Sequence, residues 1–100
     1  MVKSQFSFSA NVWEWDGPQA WHFVSLPEDL ADIVRESFGH NAHGFKSLRV
    51  EVNVSNQTWR TSIFPDSKRG TYLLPLKKDI RTKLGVEIGS RVTVGITILP

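Results

Sequence analysis

The chain has 100 residues, of which 40% are hydrophobic and 11% aromatic, and its formal net charge is only +2. This length fits one compact domain, and this balance of apolar and charged residues argues against a disordered chain. The absence of cysteine excludes a disulfide scaffold, thiol catalysis and a thiolate metal site. No apolar run approaches the roughly 20 residues of a membrane span, and the N-terminal sequence lacks the core of a signal peptide. We therefore expect a soluble, cytoplasmic domain.

The first part of the chain predicts a β-hairpin. Residues 5–15 alternate between apolar and polar side chains, which is typical of a half-buried strand. Trp13 and Trp15 fall on the face that is otherwise polar, so either another element covers that end or a bulge reverses the register. The Asp-Gly-Pro sequence at 16–18 predicts a turn, after which residues 20–26 form the returning strand.

A helix is expected to begin at Pro27, because proline suits the first turn and the acidic residues after it complement the positive end of the helix dipole. Gly39 should end this helix. Its apolar residues share one arc at helical spacing, and they are Leu30, Ile33, Val34 and Phe38. Residues 48–54 alternate again and predict the next strand.

The second half repeats the order strand, strand, helix, strand. The predicted elements are strands at 57–64 and 71–76 joined by a hairpin loop, a helix at 77–84 ended by Gly85, and a last strand with Val92, Val94, Ile96 and Ile98 on one face. Sliding the sequence by 50 residues places Asp16 over Asp66 and Leu26 over Leu76. We therefore predict one domain, residues 1–100, made of two ββαβ halves at about 5–55 and 57–99. Such halves suggest a closed or nearly closed barrel with pseudo-twofold symmetry.

Two resemblances extend this prediction. Residues 74–94, with a proline, a short basic helix, a Leu-Gly end and a Val-rich strand, resemble the swapped-hairpin repeats of AbrB- and MazE-like proteins. The whole chain resembles the prokaryotic DUF1905 family, whose members carry a domain of unknown function. That resemblance rests on residues 8–13 (Phe-Ser-Ala-Asn-Val-Trp), 20–27, 59–66 (Trp-Arg-Thr-Ser-Ile-Phe-Pro-Asp) and 70–75 (Gly-Thr-Tyr-Leu-Leu-Pro). It implies a mainly β, α+β fold, a double-split six-stranded β-barrel capped by two short helices, and it supplies no agreed function and no catalytic residues.

The four tryptophans have two interpretations. Trp13, Trp15, Trp21 and Trp59, with His22 beside them, would suit an aromatic-lined pocket for a planar or apolar ligand. Alternatively, the large rings fill a small barrel and its ends, with each indole N–H donating to a carbonyl. We favour packing over a pocket, and we expect His22 to be a hydrogen-bonded structural histidine.

Catalytic and metal chemistry find little support in the sequence. His40 and His43 lie three residues apart in a glycine-flanked loop, but a stable metal site needs three or four ligands, so we expect a solvated loop and no metal or cofactor. Glu14 and Asp16 lead into an exposed turn, where both carboxylates would stay ionised. No serine stands in a Gly-x-Ser-x-Gly sequence, and no glycine-rich phosphate loop precedes a helix. We therefore do not expect an enzyme.

Charge is divided unevenly along the chain. Residues 1–50 carry four Lys and Arg against six Asp and Glu, whereas residues 51–100 carry eight against four. The cations that cluster in the second half are Lys68, Arg69, Lys77, Lys78 and Arg81. These side chains are nucleic-acid candidates, since several cations together can neutralise phosphates. The first predicted helix is acidic, however, and a phosphate backbone laid across both halves would be repelled by it.

We therefore expect a non-enzymatic module that binds a protein or a small ligand, with an AbrB-like nucleic-acid-binding regulator as the alternative. The acidic first helix and the basic second helix also suggest weak head-to-tail self-association that salt would weaken. No membrane association is expected.

Overall fold

The computed structural model describes residues 4–42 and 44–100. Within them the fold is mainly β with two short helices, which confirms the coarse prediction. The helices are α1 (Glu28–Phe38) and α2 (Lys78–Leu84). The strands are β1 (Gln5–Asn11), β2 (Trp13–Glu14), β3 (His22–Ser25), β4 (Leu48–Val54), β5 (Gln57–Asp66), β6 (Thr71–Pro75) and β7 (Arg91–Ile98). Short 3-10 turns at Gly39–Asn41 and Gly44–Lys46 connect α1 to β4.

The strands form one curled antiparallel sheet in the order β1-β7-β4-β5-β6-β3-β2. Its two end strands, β1 and β2, are consecutive in the chain and are separated by Val12 alone. The chain therefore joins the two ends of the sheet at this residue.

Val12 divides the single strand that the sequence predicted at 5–15. Its backbone N–H donates to the Ser90 carbonyl at 2.8 Å, and its carbonyl accepts from the Gly89 N–H at 2.8 Å. These bonds go to the turn before β7, so β1 continues beside β7 while β2 pairs with β3. The described chain consequently has seven strands where the sequence predicted six.

The core lies against one face of the sheet. Leu48, Val50, Val52 and Val54 of β4 are all buried, and the alternating Val and Ile residues of β7 are buried with them, as predicted. Each fully buried aliphatic side chain of this kind stabilises the fold by roughly 1.5–3 kcal/mol relative to an exposed one.

The helices cover this core less completely than the sequence suggested. Ala31 and Val34 are the buried residues of α1, whereas Ile33 is 51% exposed, so its placement in the buried arc was wrong. Ile33 lies about 100° of helical rotation from Val34, on the side away from Ala31. On α2, Ile80 and Leu84 are half-buried against the core. Neither helix, among the residues described, is long and apolar enough to cross a membrane.

Substitutions at buried and at exposed aliphatic positions should differ in their effect on the free energy of unfolding. Leu74 of β6 has no exposed surface, so Leu74→Ala should lower the free energy of unfolding by about 2–5 kcal/mol. Ile33→Ala should change it by less than about 1 kcal/mol, because that side chain is already half in water. Urea denaturation followed by circular dichroism measures both values. Equal losses would contradict the placement of the core.

Candidate functional site

The sheet is apolar on both faces around β3 and β6. Val24 and Leu74 are fully buried in the core, whereas their neighbours Phe23 and Leu73 are only 7% and 6% exposed without belonging to the core cluster. Successive side chains of a strand point to opposite faces. Phe23 and Leu73 are therefore buried on the outer face, which requires a second apolar layer there.

Three tryptophans supply that layer. Trp13 is paired with Phe23 across β2 and β3, and the two ring centroids are 5.4 Å apart. Trp15 and Trp21 lie at 6.0 and 6.1 Å from the Phe23 ring. The backbone N–H of Trp15 donates to the backbone carbonyl of Trp21 at 2.7 Å. This bond closes the loop that connects the two residues. We call Trp13, Trp15, Trp21 and Phe23 the outer aromatic cluster.

This placement corrects, for Trp15 and Trp21, the expectation that the large rings fill the barrel and its ends. Trp15 is 40% exposed and Trp21 is 53% exposed, and neither they nor Trp13 pack against the core, whereas the half-buried Trp59 does. The alternation of 5–15 simply continues, so Trp13 and Trp15 stay on the face that Ser7 and Ser9 occupy, and no register reversal brings them inside. The indole N–H of Trp13 donates to Ser25 Oγ, and that of Trp21 donates to Gln19 Oε1, both at 2.9 Å. The predicted carbonyl acceptor is therefore wrong for Trp13, which donates to a hydroxyl, whereas Trp21 donates to the carbonyl of a side-chain amide.

The cluster borders an open cavity of about 530 Å³, which we call the aromatic pocket. Its lining residues are Trp15, Gly17, Pro18, Gln19, Trp21, Phe23, Phe64 and Leu73. Phe64 is 38% exposed here. A Cβ at Gly17 would lie 3.2 Å from Trp15 Cδ1, so glycine allows the turn to approach that ring closely. Sequence reasoning missed the turn residues 17–19 of this lining, and it missed Phe23, Phe64 and Leu73, which come from three strands.

Arg69 packs over two rings of the outer aromatic cluster. Its guanidinium carbon lies 4.7 Å from the Trp13 ring centroid and 5.2 Å from that of Trp15. Asp66 fixes the guanidinium through a 2.8 Å ion pair and also accepts the backbone N–H groups of Lys68 and Arg69. A cation over an exposed ring contributes about 0.5–1 kcal/mol. Arg69 is thus engaged with the rings, and the structure does not bring it or Lys68 to the other predicted cations.

Those other cations line a separate cavity of about 930 Å³, which we call the basic hollow. Lys77, at the N-cap of α2, and Lys78 and Arg81 of α2 line it together with Arg49 of β4 and Arg60 of β5. No carboxylate is among the residues that line it. Sequence reasoning missed Arg49 and Arg60, because only the pairing of β4 with β5 places them opposite the helix.

Trp21 and His22 also line the basic hollow. The side chain of His22 is 11% exposed, its Nδ1 donates to the Ala20 carbonyl at 3.0 Å, and its Nε2 lies 4.0 Å from Glu14 Oε2. His22 is therefore hydrogen-bonded, as expected of a structural histidine. The Glu14 carboxylate faces this ring, and Asp16 is exposed in the following turn.

The remaining candidates lie away from both cavities. His40 is exposed in a 3-10 turn, and His43 lies outside the described residues. Trp59 is paired with Val52 and packs on the core.

Burial raises the pKa of Tyr72, against the opposing effect of Arg35 nearby. Tyr72 and Arg35 line a third hollow of about 560 Å³ beside α1. In the described parts of the chain no three His, Asp or Glu side chains come together as metal ligands.

Comparison with known proteins identifies the family but not an activity. No curated protein matches the chain. The family model described as a domain of unknown function, DUF1905, matches residues 8–96, which include both cavities and nearly the whole sheet. The chain therefore belongs to the DUF1905 family.

Proposed function

We propose that this chain is a non-enzymatic, cytoplasmic binding module that takes the planar or apolar group of a small ligand in its aromatic pocket. The observation that carries this proposal is the position of the outer aromatic cluster. Trp15, Trp21 and Phe64 keep 38–53% of their surface exposed around one concave apolar site. Large rings left exposed around a concavity are characteristic of binding sites.

The lining of the pocket favours binding over catalysis. Its residues offer aromatic and aliphatic surface, with the Gln19 side chain and the backbone as polar groups, and none of them is an acid, a base or a nucleophile. A ligand that covered about 100 Å² of this surface would gain about 2.5 kcal/mol from burial. The pocket therefore suits reversible binding of an apolar group.

The pairing of the strands supports the finer architecture that the sequence predicted. If β1 and β2 count as one strand bent at Val12, the ladder has six members and its pairs repeat. The β2–β3 pair then corresponds to β5–β6, and β1–β7 corresponds to β5–β4. This is the pattern of a double-split barrel with halves at about 5–55 and 57–99. In it, the aromatic pocket lies beside β3 and β6, the two strands that meet at the pseudo-twofold axis.

Binding can be tested with N-phenyl-1-naphthylamine, an uncharged dye whose fluorescence rises in apolar surroundings. We expect saturable binding, and Trp21→Ala should lower the affinity about fivefold or more because the ring forms a wall of the pocket. Ile88→Ala is the matched control, since Ile88 is also 53% exposed but lies outside the pocket. No saturable binding, or equal loss in both variants, would refute the proposed function.

A nucleic-acid-binding regulator is the second candidate, and the observation that favours it is the basic hollow beside an exposed tryptophan. Cations that follow a phosphate backbone next to an aromatic side chain are typical of such sites. The resemblance of 74–94 to AbrB-like repeats points the same way, whereas the acidic face of α1 opposes it. Head-to-tail pairing of α1 with α2 between molecules stays a prediction.

The nucleic-acid candidate predicts a salt-sensitive mobility shift of random duplex DNA at about 50 mM salt. The double variant Lys77→Glu and Arg81→Glu should abolish that shift. Absence of a shift with the native protein at tens of micromolar would dismiss this candidate.

A further inference from the structure

We infer that the ligand is an amphipathic organic anion, whose apolar body lies in the aromatic pocket and whose carboxylate, phosphate or sulfonate group lies in the basic hollow. This inference rests on the proposed function and names the class of ligand for the same site. It joins two cavities that the sequence treated as unrelated candidates.

The two cavities are adjacent. Four residues line both of them: Pro18, Gln19, Trp21 and Phe64. Trp21 and Phe64 are exposed, so their rings are accessible to an apolar group, and both also line the hollow that holds the basic side chains. One small molecule can therefore contact both cavities across this shared wall.

The charge of the basic hollow is uncompensated by its own lining. Arg60 pairs with Glu51 at 3.3 Å, and Arg81 donates to the Leu76 carbonyl at 2.7 Å. The side chains of Arg49, Lys77 and Lys78 make no hydrogen bond or ion pair with any residue that the structure describes. Like charges around one concavity repel each other, and a bound anion relieves that repulsion.

The lining also offers neutral donors. Thr61 and Ser62 of β5 line the hollow with the cations, and hydroxyl groups can donate to an anionic oxygen. The cationic side chains come from the start of α2 and from β4 and β5, three separate elements that line one concavity, and not from one continuous element. That arrangement suits one compact anionic group better than a long phosphate backbone, which gains affinity from an extended track.

A pair of related dyes separates this inference from the proposed function. N-phenyl-1-naphthylamine carries the apolar rings alone, and 8-anilinonaphthalene-1-sulfonate carries nearly the same rings with a sulfonate. Raising NaCl from about 50 to about 500 mM should weaken binding of the sulfonate dye severalfold and leave the neutral dye within about twofold. Equal salt responses would overturn the inference while leaving the proposed function standing. Failure of both dyes to bind would overturn both.

Charge reversal locates the anionic group. The double variant Lys77→Glu and Lys78→Glu should lower the affinity for the sulfonate dye about tenfold and that for the neutral dye less than about twofold. These acidic residues stand at the start of α2, where they complement the helix dipole, so the fold should persist. The variant Arg49→Gln, on a strand, should give a smaller loss in the same direction.

The matched control is the double variant Lys68→Glu and Lys83→Glu, which makes the same change in net charge at exposed positions outside the hollow. It should leave both dyes within about twofold of the native protein. Loss of the sulfonate dye in this control to the same extent would overturn the inference, since it would show a general effect of charge.

Two competition arms identify the source of the anion. Neither an oligothymidine strand nor phosphatidylglycerol vesicles should displace the sulfonate dye, whereas excess sodium decanoate should displace it. If the oligonucleotide or the vesicles displace the dye from the native protein but not from the double variant Lys77→Glu and Lys78→Glu, the ligand is that partner. That result would overturn the inference that the ligand is a free small anion.

Discussion

The alternation of side chains along β3 and β6 is the constraint on which the rest of the structure depends. Val24 and Leu74 take the inner face and complete the core, so Phe23 and Leu73 must take the outer face. Leaving these two apolar side chains in water would be unfavourable, and the outer aromatic cluster covers them. The cover is itself incompletely buried: Arg69 lies over Trp15, yet Trp15 stays 40% exposed and Trp21 stays 53% exposed. A sheet that is apolar on both faces thus produces an exposed aromatic site as a direct consequence of its pattern.

The cations around this apolar site differ in whether an acidic partner neutralises them. The Arg69 guanidinium lies over the Trp13 and Trp15 rings. Asp66 holds it through an ion pair, so its charge is neutralised there. By contrast, the cations at the start of α2 and on β4 and β5 line a hollow that has no carboxylate among its lining residues. The difference lies in Asp66, a buried acid with no counterpart among the residues that line the basic hollow. The cations therefore differ in their partners: Arg69 is held by Asp66 against the rings, whereas the side chains of Arg49, Lys77 and Lys78 make no hydrogen bond or ion pair with any described residue.

Local patterns predicted the elements well, because each depends on residues that are neighbours in sequence. The alternation of β4 and β7, Pro27 at the start of α1 and Gly85 in its left-handed conformation after α2 were all readable in this way. The break at Val12 was not, since it depends on hydrogen bonds to Gly89 and Ser90, far along the chain. The site was predicted only in parts. Trp15, Trp21 and the lysines at the start of α2 were named as candidates from the sequence. That they lie close to Phe64 and Arg49 follows only from the order of the strands in the sheet. The expectation that the large rings fill the barrel and its ends failed for Trp15 and Trp21, because the alternation that places Val12 in the core places Trp13 and Trp15 on the other face.

The proposed site requires that Trp15 and Trp21 form an exterior, ligand-accessible surface while Trp59, which is half-buried, packs against the core. Fluorine NMR of protein labelled with 5-fluorotryptophan tests it directly, because each of the four indoles gives its own resonance, assigned by single Trp→Phe variants. The resonances of Trp15 and Trp21 should shift between H₂O and D₂O and move when 8-anilinonaphthalene-1-sulfonate is added, while that of Trp59 should shift less with solvent and not respond to the dye. Protection of Trp15 and Trp21 from solvent to the same degree as Trp59, or a dye-induced shift confined to Trp59, would contradict it.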